Sequence, residues 1–441
     1  MTSSASPSTA SEESATVPLK RYRPFVLLCA EQATSSLGRQ VTALALPLLA
    51  VTGLDAGPLG ASALMALTYL PGVLLSPFIG VLVDRARLRR LVVLSALLQA
   101  VIVGTVPLVH AVGRLSWLHL YAVAIASGAL TSVLSVSLQS ALPRIVRPGQ
   151  LLTANSALTG ARTAGQIGGP ALGGVLVGLV GASPALLVDC AAYAVQAVFL
   201  CALPAALNIP ADQAGPSSRS RLGAIREGLD VIRDETLLRR QAFAAAGLNL
   251  GGGAGGALFV LYATRDLGLP PWQLGTVYTA YTVATSGGVL LAGRVGRTVG
   301  LGRATQYCAV GAAAALFLIP AASLGFAFPV LVLYELCFGL LATVWAIAMT
   351  TGRQLITPPA LQGRVNAFLQ AVLTGTMPVG ALLGGVLAAH TGMVPVLVGA
   401  AAVALVSAMS LWYPPGLLDS VDEAAHGTRQ PQPAAERKGA S

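Results

Sequence analysis

The sequence predicts an all-α integral membrane protein with twelve transmembrane helices in two six-helix repeats. Composition, a series of long apolar runs and an internal repeat support this fold class. The 441-residue chain is 55% hydrophobic and 10% charged, with a mean hydropathy of +0.74, whereas soluble proteins carry about 25% charged residues. A net charge of +10 would suggest nucleic acid binding in a soluble protein. Here the arginines lie mainly in short loops between apolar runs, so membrane topology explains them and no nucleic acid partner is expected.

Twelve apolar runs are long enough to cross a hydrocarbon core of about 30 Å. Six of them form a predicted N-terminal bundle over residues 24–207, and six form a C-terminal bundle over residues 241–413. The predicted helices, numbered 1 to 12, span residues 24–50, 58–82, 91–111, 116–140, 151–178, 183–207, 241–263, 272–296, 303–324, 328–351, 361–388 and 393–413.

Three polar segments flank and separate the bundles. Residues 1–23 are rich in Ser, Thr and Ala, and residues 414–441 are rich in polar residues and Pro, so both are predicted to be disordered and cytoplasmic. Residues 208–240 form a predicted cytoplasmic central loop. Within this loop, residues 221–240 have apolar residues at helical spacing, which predicts an amphipathic helix along the membrane face.

An internal repeat relates the two predicted bundles. The segment Gly169–Leu176 matches Gly380–Leu387, which lies 211 positions later, and Asn155 has a counterpart in Asn366 at the same offset. In a bilayer, glycines let neighbouring helices approach closely, and packed partners can satisfy the groups that a proline leaves unbonded. The repeat predicts that helices 5 and 11 are close-packed interface helices.

The distribution of positive charge predicts the orientation of the helices. All but four of the 27 Lys and Arg residues lie in the N-terminal segment, the C-terminal tail or the loops on the same side of the membrane; the exceptions are Arg39, Arg114, Arg162 and Arg265. Loops rich in Lys and Arg remain in the cytoplasm. The prediction is therefore a multi-pass protein of the cytoplasmic (inner) membrane with both termini in the cytoplasm.

The short loop between helices 2 and 3 contains a charge cluster. Gly80 is followed four residues later by Asp84, and four arginines follow, among them Arg85, Arg89 and Arg90. Asp84 can stabilise a helix N-terminus, and the arginines can pair with carboxylates or lipid phosphates. We interpret the loop as a charge-paired cytoplasmic gate; for the arginines alone, topology is the simpler explanation.

Two motifs in this sequence resemble those of a known family. Gly80, Asp84, Arg85 and the following arginines resemble the loop 2–3 signature of the major facilitator superfamily. The helix 5 pattern Gly165, Gly169, Pro170, Gly173 and Gly174 resembles the motif of its drug:proton antiporters. Shorter features, Ser36–Gly38, Ala45–Leu49 and Glu227–Ile232, are similar to the efflux branch that includes macrolide efflux proteins and the enterobactin exporter. The chain has an arginine at position 39, where proteins of this branch often have an acidic residue.

The resemblance implies a transporter that works by alternating access, with helices 1, 4, 7 and 10 lining a central cavity. It implies a monomer in contact with membrane lipids that exports a small lipophilic drug or secondary metabolite in exchange for protons. The proton gradient would supply the energy, without a cofactor. Four His residues without metal-ligand spacing and the lack of a phosphate-binding motif argue against a metal site and an enzyme. An importer, a lipid flippase, a uniporter and a sensor without transport remain as alternatives.

Five ionisable residues fall at predicted membrane depth: Glu31, Arg39, Arg162, Asp189 and Glu335. Such residues are costly in a bilayer, so each is a candidate for proton coupling or for the substrate cavity. We interpret Glu31 and Glu335 as the candidate proton carriers, with a static ion pair as the alternative. Arg162 binds an anionic group or holds a carboxylate. Asp189 is assigned a structural role.

The predicted cavity lining combines apolar and hydroxyl groups. Helix 4 supplies serines and a threonine, helix 7 supplies Asn249, and helix 8 supplies Tyr278 and Tyr281. This lining suits a bulky amphiphile. Because aromatic residues make up only 5% of the chain, an aromatic-caged polycation is not favoured.

Asp84→Asn is predicted to slow transport more than it weakens substrate binding, because a gate residue acts on the conformational step. The turnover rate in vesicles and the substrate affinity of the purified protein test this prediction. A loss of affinity at unchanged turnover would instead make Asp84 a ligand contact.

Overall fold

The computed structural model describes residues 19–412, except 205–206, 208–232, 234 and 358. Within this part the chain forms twelve long helices, α1 to α12. They are Arg23–Leu54, Pro58–Arg85, Leu88–Ala111, Trp117–Ile145, Leu151–Val180, Ala182–Cys201, Thr236–Leu261, Pro271–Val299, Leu301–Ala315, Ala327–Ile356, Pro359–Thr391 and Met393–Met409. A π-helical turn, Tyr262–Asp266, extends α7, and a short helical segment, Leu318–Ala321, follows α9.

The helices agree with the predicted membrane fold. In the described part of the chain, ten helices are long and apolar enough to cross a membrane. The other two are α8, which is rich in Thr, Tyr and Gly, and α12, which has 17 residues. The predicted all-α fold with twelve helices is therefore confirmed.

The predicted polar segments lie largely outside the described residues, which begin at residue 19 and end at residue 412. Most of the predicted amphipathic stretch 221–240 also falls outside them. Its last residues, from Thr236 onward, belong to the first turns of α7, which begins five residues before the predicted start of helix 7.

Two of the single glycines that join consecutive helices are related by the sequence repeat. Gly181 connects α5 to α6 with φ 89°, and Gly392 connects α11 to α12 with φ 88°. Side chains rarely adopt this region, so glycine is required at both corners. The two glycines are 211 positions apart, so the offset of the sequence repeat is also found in the backbone.

The repeated glycines pack helices together within each half. A Cβ on Gly169 of α5 would lie 2.5 Å from the Gln40 Cβ of α1, and one on Gly173 would lie 3.2 Å from the Val41 Cα. In the second half, a Cβ on Gly384 of α11 would lie 2.8 Å from the Ala254 Cβ of α7. Gly165 likewise packs directly on α1, against the Ala33 carbonyl. Most of the predicted motif therefore serves packing inside a half.

The two halves meet through α5 with α8 and α2 with α11. A Cβ on Gly174 would lie 2.8 Å from the Gly275 Cα, and one on Gly385 would contact Ser62 and lie 3.0 Å from the Pro58 carbonyl oxygen. We call the end of the bundle with the α2–α3, α4–α5, α8–α9 and α10–α11 connections the basic end, and the other the opposite end. Both contacts lie toward the opposite end.

The same helices separate toward the basic end. Gly160 lies on nearly the same face of α5 as Gly174, because fourteen residues make about four turns. A Cβ on Gly160 would meet no atom within 4 Å. Thr374, on the Gly385 face of α11, is exposed. The halves therefore enclose a cavity that is closed at the opposite end and open at the basic end.

Gly174→Leu is predicted to separate the halves at the opposite end, because its side chain would displace the Gly275 backbone. Spin labels at Val112 and Leu324, in a background without the native cysteines, measure this separation. The label distance should increase in Gly174→Leu and stay unchanged in Gly178→Leu, where a Cβ meets no atom within 4 Å. Identical distances in both variants would contradict the assignment of this contact as the closed end.

Candidate functional site

The charged residues at membrane depth separate into two sites. Glu31 and Arg39 of α1, Arg162 of α5 and Asp189 of α6 lie in the N-terminal half. Glu335 of α10 lies in the C-terminal half.

Glu31 is held by neutral hydrogen-bond donors. It is 1% exposed, and its Oε1 accepts hydrogen bonds from the Gln196 side chain of α6 and from Ser35 Oγ at 3.2 Å. Within the described residues it forms no ion pair. The static ion pair considered as an alternative for Glu31 is therefore not formed in this conformation.

Asp189 connects α6 to α1. It is 1% exposed, and its Oδ2 accepts a hydrogen bond from Thr42 Oγ1 at 2.6 Å. Its Oδ1 has no hydrogen-bond partner among the described residues. A Cβ on Gly38 of α1 would lie 2.6 Å from this Oδ1, so glycine is needed for α1 to approach the carboxyl group. Asp189 thus contacts α1 in the same interface as Glu31.

Arg39 of α1 forms an ion pair with neither of these carboxyl groups. Its guanidinium donates a hydrogen bond to Ser36 Oγ at 3.1 Å, and its charge acts on Glu31, Asp189 and Arg162. Arg162 is exposed on α5. Neither arginine forms an ion pair with a described carboxylate. Arg162 therefore holds no described carboxylate in this conformation, and both roles considered for it stay predictions.

Glu335 faces the tyrosines of α8. Gly339, one turn later on the same face of α10, packs on α8, where its Cβ would lie 3.1 Å from the Tyr281 ring and from the Ala284 Cβ. Glu335 is therefore at the level of Tyr278. It is 5% exposed and has no hydrogen bond or ion pair within the described part of the chain.

The predicted gate lies at the basic end. Gly80, Asp84 and Arg85 belong to the last two turns of α2, and the Asp84 side chain is outside the described residues. Arg85 and Arg90 are exposed. Arg89 donates a hydrogen bond to the Cys201 carbonyl at the end of α6. This contact joins α3 to α6 within one half, so it ties neighbouring helices rather than the two halves.

The structure also shows functional candidates that the sequence analysis missed. Asp55 and Arg265 form an ion pair across the two halves at the opposite end, and Arg265 is also 3.5 Å from the Ala56 carbonyl oxygen. Tyr69 of α2 lies within electrostatic range of Tyr278 and Tyr281. Nothing in the local sequence marks these pairings, because each joins residues from different halves.

Comparisons with known proteins agree with this architecture. Residues 28–354 match the family model described as Major Facilitator Superfamily. The chain is 25% identical to YfiS of Bacillus subtilis (strain 168), described as an uncharacterized MFS-type transporter, over 85% of this chain and 89% of that protein.

Solved structures share the fold. The nucleoside transporter NupG aligns with a TM-score of 0.70 and 14% identity, over 89% of this chain and all of that one. A bacterial homologue of the iron transporter ferroportin in an inward-facing state aligns with a TM-score of 0.67 and 18% identity, over 88% of this chain and 98% of that one. At these identities the likeness concerns the fold alone.

Gln196→Leu is predicted to destabilise the protein by about 1–3 kcal/mol, because the buried Glu31 carboxyl group loses a hydrogen-bond donor. Unfolding of the purified protein in detergent measures the effect. Gln273→Leu is the matched control, since Gln273 makes no described side-chain hydrogen bond. Equal stability of the two variants would show that the α1–α6 bond contributes little.

Proposed function

Because the chain belongs to the Major Facilitator Superfamily and is thus a multi-pass membrane transporter, we propose that it exports a small lipophilic drug or secondary metabolite in exchange for protons. Proteins of this family are in general transporters rather than enzymes. We propose a monomer in the cytoplasmic membrane, in contact with lipids and driven by the proton gradient without a cofactor.

The distribution of arginines supports the proposed direction of access. If the basic end faces the cytoplasm, as the positive-inside rule predicts, the open cavity accepts substrate from the cytoplasm. The resemblance of the helix 5 motif to that of drug:proton antiporters also supports export. Release on the other side then requires the halves to separate at the opposite end and to meet at the basic end.

The contacts at the opposite end suit such a movement. The halves meet there through small residues, Gly174 with Gly275 and Gly385 with Ser62, and through the exposed ion pair of Asp55 and Arg265. Glycine contacts carry no interdigitated side chains that would have to be pulled apart. An exposed ion pair contributes only about 0–1 kcal/mol, so breaking it does not prevent opening.

The observation that carries the proposed proton coupling is the α1–α6 interface. Glu31 and Asp189 are buried there against neutral donors, and no described cation pairs with them. A charge in these surroundings is costly, and binding of a proton removes that cost. A movement of α1 against α6 that exposes these groups would therefore change their proton occupancy.

Acidified inside-out vesicles with a pH-sensitive dye inside test the proposal. A panel of lipophilic antibiotics and siderophore-like compounds is added to vesicles with wild type, Glu31→Gln, Glu335→Gln or Asp266→Asn. A substrate is expected to release lumenal protons with wild type and with Asp266→Asn, an exposed carboxyl-to-amide control. Glu31→Gln is expected to reduce the proton release rate about tenfold or more.

The other possible results distinguish the alternative functions. Movement of a labelled compound into the vesicles without proton flux would indicate a uniporter or another coupling ion. Transport out of the vesicles would indicate an importer, and movement of labelled lipid between leaflets a flippase. Binding without flux would favour a sensor.

A further inference from the structure

We propose that the corner between α10 and α11 is a binding site for a phosphate group, carried by a lipid headgroup or present as free phosphate. Arg353 in the last turn of α10 and Thr357 directly after this helix supply the hydrogen-bond donors. The site lies at the basic end of the C-terminal half, away from the buried acids at membrane depth. It concerns binding alone, so it does not depend on the proposed substrate, direction or proton coupling.

Arg353 is a buried cation without a partner among the described residues. It is 8% exposed, and its Nε is buried and makes no hydrogen bond. It forms no ion pair within the described part of the chain. A buried charge without a partner is costly, and a guanidinium cannot remove this cost by losing its proton. The side chain therefore suits an anion that the described residues do not themselves supply.

Thr357 adds a second donor to the same place. It is 5% exposed, and its Oγ1 is buried without a hydrogen-bond partner among the described residues. Its backbone N–H donates to the Arg353 carbonyl oxygen at 3.0 Å, so the two residues lie one turn apart on one side of the helix end. Two neighbouring buried groups with unused donors indicate one ligand that accepts hydrogen bonds from both.

The two side chains border a crevice that holds about 150 Å³ of empty space. Gln362 of α11 closes one side, because its amide donates to the Gln354 carbonyl oxygen at 3.0 Å and to the Thr357 carbonyl oxygen at 3.2 Å. Gln354 and Asn366 are exposed, so the crevice reaches the protein surface. The described side chains that line it include no acid: Arg353, Gln354, Thr357, Gln362, Val365 and Asn366.

The first repeat has the same corner with apolar side chains. At the repeat offset of 211, Leu142 corresponds to Arg353, and Val146 corresponds to Thr357. The Val146 N–H donates to the Leu142 carbonyl oxygen at 3.1 Å, which is the same backbone bond as in the second repeat. Leu142 and Val146 are buried. The backbone of this corner thus requires neither a cation nor a hydroxyl group, which indicates that the polar pair serves binding.

The position of Arg353 along α10 matches the depth of lipid phosphates. The helix begins at Ala327, so Arg353 is about 39 Å along it at 1.5 Å per residue. The hydrocarbon core is about 30 Å thick, and the bilayer with its headgroups is about 40–45 Å thick. A helix that starts in one headgroup layer therefore places Arg353 in the other, at the basic end. The positive-inside rule assigns this end to the cytoplasmic leaflet, where anionic lipids attract basic residues.

The donors of the site suit a phosphate better than a carboxylate. A guanidinium donates two parallel, charge-assisted hydrogen bonds to either group. These two bonds occupy both oxygens of a carboxylate, whereas a phosphate keeps further oxygens for the Thr357 hydroxyl group. The N-terminal end of α11, which begins at Pro359, borders the crevice and favours a negative charge. A phosphate bound here links α10 to α11.

Binding of fluorescently labelled dioctanoyl phosphatidylglycerol to the delipidated protein in detergent tests the lipid as the source, with empty micelles subtracted. Arg353→Leu, which installs the residue of the first repeat, should weaken binding at least about tenfold, and Thr357→Val about threefold. Arg294→Leu, which removes an exposed arginine at the same end, should leave the affinity unchanged. Dioctanoylglycerol, which has the same chains without the phosphate, should not compete.

Thermal unfolding with inorganic phosphate, at constant ionic strength against chloride, tests free phosphate as the source. Stabilisation of the wild type that Arg353→Leu abolishes would show that free phosphate binds at this site. An effect of Arg353→Leu on lipid binding alone assigns the site to a lipid headgroup, and an effect on the response to inorganic phosphate alone assigns it to free phosphate. The site is wrong if Arg353→Leu and Thr357→Val change neither response, or if dioctanoylglycerol competes as strongly as unlabelled phosphatidylglycerol.

The stability of the variant without ligand separates a binding arginine from a structural one. In phosphate-free detergent solution, Arg353→Leu should unfold at the same temperature as the wild type or higher, because it removes a buried charge without a partner. A lower unfolding temperature, or failure to fold, would show that the guanidinium supports the fold and would contradict the site. None of these measurements uses a gradient or a transported compound, so their outcome is independent of the vesicle experiment.

Discussion

The close approach of two helix pairs at the opposite end determines the shape of this molecule. Gly174 meets Gly275 there, and Gly385 meets Ser62. In lipid, apolar helices gain little by hiding from solvent, so their association depends on close packing, which small residues permit. These contacts close one end of the cavity, and the separation of the same helices opens the other. This arrangement determines where the candidate sites lie and from which end of the bundle they can be reached.

The two halves share a backbone plan but differ in the chemistry of their buried acids. In the N-terminal half, Glu31 and Asp189 are bonded to neutral groups between α1 and α6. In the C-terminal half, Glu335 is unpartnered within the described residues and lies one turn before Gly339, which packs on α8. Under the proposed function, Glu31 and Asp189 are the candidate proton-exchange groups of the N-terminal half, and Glu335 is the candidate of the C-terminal half. Repeats that duplicate a fold can diverge in this way because buried side chains change without altering the helix plan.

Sequence patterns predicted much of the fold but only part of the candidate site. Hydropathy located the helices, and the repeat located the glycines that pack them. The pattern did not distinguish Gly169, which packs within a half, from Gly174, which packs between halves, although both belong to one motif. The sequence analysis assigned Asp189 a structural role but did not identify Thr42 as its hydrogen-bond partner. Tyr69 was not identified, because one tyrosine in an apolar run has no local signal.

By itself the sequence determined twelve membrane helices, their repeat and the charged residues at membrane depth, because hydropathy and spacing are read along one stretch of chain. Only the tertiary structure decided which end of the cavity is closed and which side chains meet across it. Glu31 and Gln196 are 165 positions apart, and Tyr69 belongs to a different half from Glu335. Such pairings depend on the rotation of each helix about its axis and on the angle between the halves. Helix packing sets the rotation and the angle, and neither can be read from the periodicity of the local sequence.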